Sequence, residues 1–126
     1  MQVNPKQTNT VIVGAGQAGL AMSAHLTTHN ISHIILEKHR LVERWRTARW
    51  DSLVANGPAW HDRFPVQEFA DISGDDFATR EEIVNYFERF ADAVKAPVRC
   101  RVEVSAVTRL NDGCFLVETN SGQIMA

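Results

Sequence analysis

Three glycines stand where a short apolar segment gives way to a helical pattern, in the stretch VIVGAGQAGLAMSAHL. The β-branched run Thr10–Val13 is typical of a buried parallel strand, and residues 17–28 follow a helical pattern. Gly14, Gly16 and Gly19 have GxGxxG spacing at the junction between the two. The first glycine allows a tight turn, the second lets a pyrophosphate approach the backbone, and the third lets the helix lie close to the strand. The stretch therefore predicts a dinucleotide-binding βα turn.

A second predicted strand, residues 31–37, completes a βαβ unit and ends on an acid. Glu37 follows the last glycine by about the 20 residues expected for an acid that accepts hydrogen bonds from ribose hydroxyls. Its carboxylate would repel a 2′-phosphate, so this site is expected to disfavour NADP. FAD and NAD share the ADP half of the molecule, so the βαβ unit leaves both open. A tight turn without any ligand is the alternative interpretation.

The middle of the chain, residues 38–78, contains three tryptophans and several Gly and Pro turn signals but no sustained period. We interpret it as long ordered loops on the cofactor side, with a short helix near residues 42–46. Thr79 and Glu82 then have capping-box spacing and predict the start of a helix that ends before Pro97. The helix carries an apolar stripe that we assign to the core, formed by Ile83, Phe87, Phe90 and Val94.

The last segment, residues 98–126, alternates strand-forming residues with two turn signals, which predicts an antiparallel β-meander. This order favours an FAD-binding domain over a simple NAD fold. The predicted class is α/β: a doubly wound parallel sheet of the FAD/NAD(P)-binding (Rossmann-like) type with an antiparallel β-meander, truncated at the C-terminus. A flexible leader over residues 1–9 precedes a partial domain over residues 10–126. The final strand, cut off by the end of the chain, is expected to leave an open sheet edge that pairs with another chain or forms a homo-oligomer.

Four segments together resemble the N-terminal part of flavin-containing monooxygenase-like, NAD(P)H-dependent flavoproteins: VIVGAGQAGLAMSAHL, ILEKH, RWRTARWDSL and NGPAWHDRFP. The resemblance runs from about Thr10 to Ala126. It implies an enzyme in which FAD takes hydride from NAD(P)H, reacts with O₂ and, as a hydroperoxyflavin, transfers oxygen to a small organic substrate. Members of the family continue into a strand ending in Ala-Thr-Gly and a second glycine motif for NAD(P)H. This chain is therefore expected to hold most of the FAD contacts without turnover of its own.

The resemblance also assigns site residues. Asn56 is the expected catalytic residue, near the reactive edge of the isoalloxazine, where its amide would bond the flavin hydroperoxide or the nicotinamide. Asp51 would lie along the ribityl chain, and Val104 would meet the adenine edge. The family usually has Gly-x-x-Trp before the first tryptophan, whereas here Val42 and Glu43 precede Arg44 and Trp45. The expected cofactor-binding residues are Gly14, Ala15, Gly16, Gln17, Ala18, Gly19, Glu37, Lys38, Arg44, Trp45, Trp50, Ser52, Leu53 and Val104.

Composition argues against several other functions. Thirteen basic and fifteen acidic residues give a net charge of -2, so no general attraction to nucleic acid is expected. No apolar run predicts a membrane span or a signal peptide, and the two cysteines are expected to be reduced thiols of a cytoplasmic protein, the alternative being one disulfide.

Other polar residues receive structural interpretations. His25 and His29 are interpreted as a solvated pair, with no metal site predicted. His61 and Asp62 are not expected to be an acid/base pair, because adjacent residues on a strand point apart. A non-catalytic domain that binds NAD or FAD for sensing or interaction, and an inactive fragment, remain alternative functions.

Overall fold

Two sheets and three helices make up the computed structural model, which describes residues 6–47, 50, 52–64, 67–69 and 72–126. The helices are α1 (Gln17–Thr28), α2 (Glu43–Thr47) and α3 (Arg80–Ala93). The strands are β1 (Lys6–Gln7), β2 (Thr10–Val13), β3 (His33–Glu37), β4 (Val98–Cys100), β5 (Val104–Arg109), β6 (Phe115–Thr119) and β7 (Gly122–Met125).

The first sheet is entirely parallel and has the order β2-β3-β4. Because side chains alternate along a strand, this sheet offers two apolar faces. Ile12 and Ile35 pack in the larger core with α1 and α3. Leu36 packs on the other side against Val117 and Ile124 of the second sheet. The parallel sheet therefore lies between a helical layer and a β layer, as the predicted α/β class requires.

The second sheet contains the antiparallel meander β5-β6-β7, with β1 added parallel to β7. Its registers pair Val107 with Val117 and Val117 with Ile124. Val117 and Ile124 are buried, so the meander is fastened to the parallel sheet through these two side chains. The predicted β-meander is confirmed for residues 104–125.

Three details of the predicted organisation are wrong. The predicted leader, residues 1–9, is not loose over residues 6–9, since β1 pairs with β7 and the Thr8 amide donates to the Met125 carbonyl at 3.0 Å, while residues 1–5 lie outside the described residues. Residues 98–100 join the parallel sheet as β4 and not the meander, because they align with β3 from Ile35 to Glu37. The outer edge of the last strand is not open, because Ile124 and Met125 pair with β1. Sequence periodicity does not reveal which sheet a short strand joins, and tertiary pairing decides it.

Helix α3 follows the predicted pattern. The Thr79 hydroxyl accepts from the Glu82 amide at 3.2 Å, while Glu82 Oε1 accepts from the Thr79 amide at 3.1 Å. These reciprocal bonds satisfy donors that the first turn leaves free. The apolar stripe on α3 is buried at Ile83, Phe87 and Phe90, which confirms its assignment to the core.

The segment between α2 and α3 is anchored on α3 by aromatic packing. Phe64 is buried and stacks on Phe90, with ring centroids 4.1 Å apart. The Tyr86 hydroxyl accepts from the Phe64 amide and donates to the Gln67 carbonyl, both at 2.6 Å. Burial raises the pKa of Tyr86 and keeps the hydroxyl protonated as a donor. The predicted loops are thus tied to the helical layer by specific contacts.

The expectations about the cysteines and about membrane spans can also be compared with the structure. Cys100 and Cys114 are free thiols, as expected. Within the described ranges, no helix combines the length and apolar character needed to cross a membrane.

Candidate functional site

A cleft of about 950 Å³ opens where the parallel strands β2 and β3 end. Its walls come from the glycine turn, the residues after β3, α2, the loop at residues 53–56 and the segment that enters β5. In open α/β sheets, ligands bind at the carboxyl ends of the strands, and this volume is in the range of ligand sites. The cleft is therefore the candidate site.

The glycine turn presents an unobstructed backbone to the cleft. Gly14 has φ +97, a conformation that favours glycine, and its amide donates to the Leu36 carbonyl at 2.8 Å. A Cβ built on Gly16 meets no heavy atom within 4 Å, so the space beside this residue is open. Gly16 is also the N-cap of α1 and supplies no side-chain cap. Unlike in α3, no residue among those described caps the first-turn amides of α1, which are therefore available to an anion.

Glu37 fastens the end of β3 to this turn. Its Oε1 accepts from the Ala15 amide at 3.1 Å, and its Oε2 accepts from the His39 amide at 2.9 Å. The side chain lines the cleft and is half-buried. A carboxylate has about four acceptor positions, so each oxygen retains capacity for a ligand hydroxyl.

Another part of the cleft lining comes from what we call the Asn56 loop, residues 52–62. Asn56 is exposed and lines the cleft, and its side-chain amide has no hydrogen-bond partner among the described residues. The amide can therefore donate to and accept from a ligand. Leu53 of this loop and Trp50, which precedes it, also line the cleft, and Trp50 is exposed.

The structure brings most of the site residues predicted from the sequence to one cleft. Ala18, Gly19 and Ser52 lie outside its lining, Gly19 because it packs against β2 and the glycine turn. Asp51 lies outside the described residues. The predicted residues that line the cleft are Gly14, Ala15, Gly16, Gln17, Glu37, Lys38, Arg44, Trp45, Trp50, Leu53, Asn56 and Val104.

Sequence reasoning missed several lining residues. Ile83 and Phe87 were assigned only to the core, yet they also line the cleft, as does Phe69. The expectation that His61 and Asp62 point apart is wrong, because they lie in a turn and the His61 Nδ1–H donates to Asp62 Oδ1 at 2.8 Å. Asp62 also lines the cleft. Gly57-Pro58 before it was the available signal, since it marks a turn in which neighbouring side chains can meet.

An exposed ion pair lies at the edge of the cleft. Arg40 Nε donates to Glu43 Oε2 at 2.6 Å. This hydrogen bond lowers the pKa of Glu43 and raises that of Arg40. Glu43 therefore contributes a negative charge to the mouth of the cleft, near Lys38 and Arg44.

Val42 has an unusual backbone conformation for its residue type. It precedes Trp45 by three residues, the position at which the family resemblance leads us to expect glycine, and its φ is +63. Its side chain is buried and lines the cleft. A β-branched residue in the left-handed region is strained by about 1–2 kcal/mol. The backbone turn that glycine would favour is thus present without glycine.

This conformation predicts that the usual order of stability of an alanine and a glycine variant is inverted at Val42. Both Val42→Ala and Val42→Gly remove the buried side chain, but only glycine relieves the positive φ. We expect Val42→Gly to exceed Val42→Ala in free energy of unfolding by about 1 kcal/mol. Urea denaturation of the two variants measures this difference.

Val84, buried in the middle of α3, is the matched control. At this helical position we expect the usual order, with Val84→Ala more stable than Val84→Gly by about 1 kcal/mol. If the alanine variant were more stable than the glycine variant at both positions, the left-handed conformation of Val42 would be contradicted.

Comparison with known proteins gives a family match over residues 11–126, to the model described as pyridine nucleotide-disulphide oxidoreductase. A CzcO-like oxidoreductase of Geobacillus kaustophilus, itself uncharacterized, is 35% identical over 94% of this chain and 33% of its own length. Indole-3-pyruvate monooxygenase YUCCA4 of Oryza sativa is 31% identical over 76% of this chain and 22% of its own length. The chain thus spans at most about a third of the curated relatives it matches.

A solved structure has the same fold. The flavin-containing monooxygenase from Stenotrophomonas maltophilia superposes with a TM-score of 0.82 at 22% identity. The match covers 96% of this chain and 36% of that enzyme. At this identity the likeness establishes the arrangement of sheets and helices.

Proposed function

We propose, since this chain belongs to the pyridine nucleotide-disulphide oxidoreductase family, that it is the FAD-binding portion of a flavin-dependent monooxygenase. The observation that carries the proposal is the open backbone at Gly16 facing the same cleft as the Glu37 carboxylate. These two features suit the pyrophosphate and the ribose of one ADP group. The relatives that are named monooxygenases support the reaction class.

The residues present fit FAD along the cleft. The amides of the first turn of α1 would hold the pyrophosphate, and Glu37 would accept from the ribose hydroxyls while keeping its bonds to Ala15 and His39. Val104 would lie by the adenine, and Trp45, Trp50 and Leu53 would line the route towards the flavin ring. The apolar side chains of this route would exclude water from the ligand.

Asn56 would act at the reactive end. Its exposed amide has both a donor and an acceptor available to the flavin edge or to a nicotinamide. When bound, FAD supplies the redox chemistry, accepting hydride from NAD(P)H and activating O₂ for oxygen transfer to a small organic substrate. The protein's part would be to orient the reactants and to offer a hydrogen bond where charge develops. We further propose a cytoplasmic location, which the two free thiols support.

FAD titration of the chain tests this proposal. We expect FAD to bind in preference to NAD, with a change in flavin fluorescence and absorbance. Glu37→Gln should weaken FAD binding about 10- to 100-fold, because a charge-assisted acceptor of the ribose hydroxyls is lost. Glu118→Gln on β6, outside the cleft lining, is the matched control and should leave FAD affinity unchanged.

Two outcomes would overturn the proposal. A chain that takes up no FAD would exclude the flavoprotein role. Tight NAD binding without preference for FAD would instead favour a nucleotide-binding domain of another kind.

A further inference from the structure

We propose that Asp62 is a positioning residue that holds Asn56 in the cleft, a role that rests on the proposed function of Asn56. The two residues lie at opposite ends of one turn in the Asn56 loop, and both line the cleft. Asp62 acts on Asn56 through the peptide that joins Asn56 to Gly57.

The Asp62 carboxylate closes this turn by a hydrogen bond to Gly57, the residue after Asn56. Its Oδ2 accepts from the Gly57 amide at 2.9 Å, and its Oδ1 accepts from His61 Nδ1–H at 2.8 Å. The amides of His61 and Asp62 both donate to the Pro58 carbonyl, at 2.9 and 3.0 Å. The turn therefore brings the carboxylate back to the start of the turn, where it fixes the Asn56–Gly57 peptide.

The contact between Asp62 and Gly57 requires a residue without a side chain at position 57. A Cβ built on Gly57 would lie 2.7 Å from Asp62 Oδ1 and 3.1 Å from its Cγ. Such distances are too short for non-bonded atoms, so any larger residue would displace the carboxylate. The contact thus depends on both residues: on the carboxylate of Asp62 and on the absence of a side chain at Gly57.

The two residues before Asn56 are held by contacts that do not involve Asp62. The Ala55 amide donates to the Ala78 carbonyl at 2.8 Å, and Val54 forms an antiparallel bridge with Thr79, the N-cap of α3. Asn56 therefore lies between one peptide tied to the residues just before α3 and another tied to Asp62. Its side chain projects from a backbone constrained on both sides, and its side-chain amide, without a partner among the described residues, is available to a ligand.

The bonding of Asp62 favours an anchor over an acid or base. Both carboxylate oxygens already accept a hydrogen bond, and 27% of the side chain remains exposed. Asp62→Asn retains a carbonyl oxygen that can accept from Gly57, whereas Asp62→Ala retains none. An anchor is therefore expected to tolerate asparagine and to fail with alanine.

Amide hydrogen exchange of the unliganded, ¹⁵N-labelled chain tests the contact. We expect the Gly57 amide to exchange about tenfold faster or more in Asp62→Ala, and close to the wild-type rate in Asp62→Asn. Gly57→Ala, which displaces the carboxylate from the other side, keeps the test available should Asp62→Ala fail to fold. It is expected to destroy the same contact, seen as altered resonances of His61 and Asp62 beyond the mutated site.

The matched control is Asp112→Ala. Asp112 Oδ1 accepts from the Cys114 amide at 2.9 Å in the turn between β5 and β6, so an equivalent bond is removed outside the cleft. Exchange at Gly57 should not respond to this change.

A double-mutant cycle on FAD affinity tests the positioning itself. We expect Asp62→Ala to weaken FAD binding and to have no further effect when Asn56→Ala is already present, because both changes remove the same contact. Asp62→Asn should restore the affinity, and Asp112→Ala should change nothing in either background.

The outcomes separate this role from the proposed function. Additive effects of Asp62→Ala and Asn56→Ala, or a Gly57 exchange rate unaffected by Asp62→Ala, would overturn the positioning role while leaving FAD binding in place. A wild-type chain that binds no FAD would overturn the proposed function and this role with it, whatever the exchange rates show.

Discussion

Gly19→Ala is expected to unfold the glycine turn and to abolish FAD binding. A Cβ on Gly19 would overlap the carbonyl oxygen of Gly14 and lie 3.2 Å from Ile12 Cγ2. The carbonyl cannot retreat easily, because the Gly14 amide is bonded to Leu36 and its φ is +97. We expect a loss of about 3 kcal/mol in free energy of unfolding, at the upper end of overpacking effects. Urea denaturation of the unliganded chain measures it.

Gly16→Ala is the matched control within the same motif. Its φ is −82 and its Cβ would enter open space, so unfolding should change by about 1 kcal/mol or less. FAD affinity should nevertheless fall about tenfold or more, because the new methyl group occupies the space beside the expected pyrophosphate. Wild-type FAD affinity in Gly16→Ala would contradict the placement of the pyrophosphate on this turn.

Phe64→Ala is expected to cost about 3–5 kcal/mol, the range for a buried aromatic side chain. Phe64 is 4% exposed and packs against three rings of α3, namely Tyr86, Phe87 and Phe90. Domains of this size are stable by about 5–15 kcal/mol, so the variant should be largely unfolded at moderate denaturant. Denaturation followed by fluorescence and by circular dichroism gives the difference.

Trp60→Ala provides the control from the same segment between α2 and α3. Trp60 is a large aromatic residue four positions before Phe64, but it is 59% exposed. Its removal should change the free energy of unfolding by about 0.5 kcal/mol or less. A large loss in Trp60→Ala together with a small one in Phe64→Ala would mean that the loop packs differently.

The contrast between Phe64 and Trp60 shows where sequence reasoning stopped. Regular elements could be predicted because their periods are local: β2, α1 and the capped start of α3 lie where the pattern placed them. The segment between α2 and α3 has no period, and nothing local distinguishes the aromatic residue that reaches α3 from the one that faces solvent. Burial there depends on contacts with residues distant in the chain.

The candidate site divides in the same way. Gly14, Gly16 and Glu37 could be predicted as a group, because a βαβ unit brings the end of its first strand and the end of its second to one edge. Asp62 could not, since its partner is a backbone amide selected by a turn that the sequence does not specify. Val42 is intermediate, because the missing glycine was visible but its retained positive φ was not.

The sequence by itself determined the βαβ unit, its glycine turn, the acid at the end of β3, the capped helix and the three meander strands. Each depends on spacing or capping among residues close in the chain. Only the tertiary structure decided that residues 98–100 join the parallel sheet, that β1 covers the edge of β7, and that Asp62 secures the Asn56 loop. These features depend on pairings between distant segments, whose energies arise only when the folded chain brings them together.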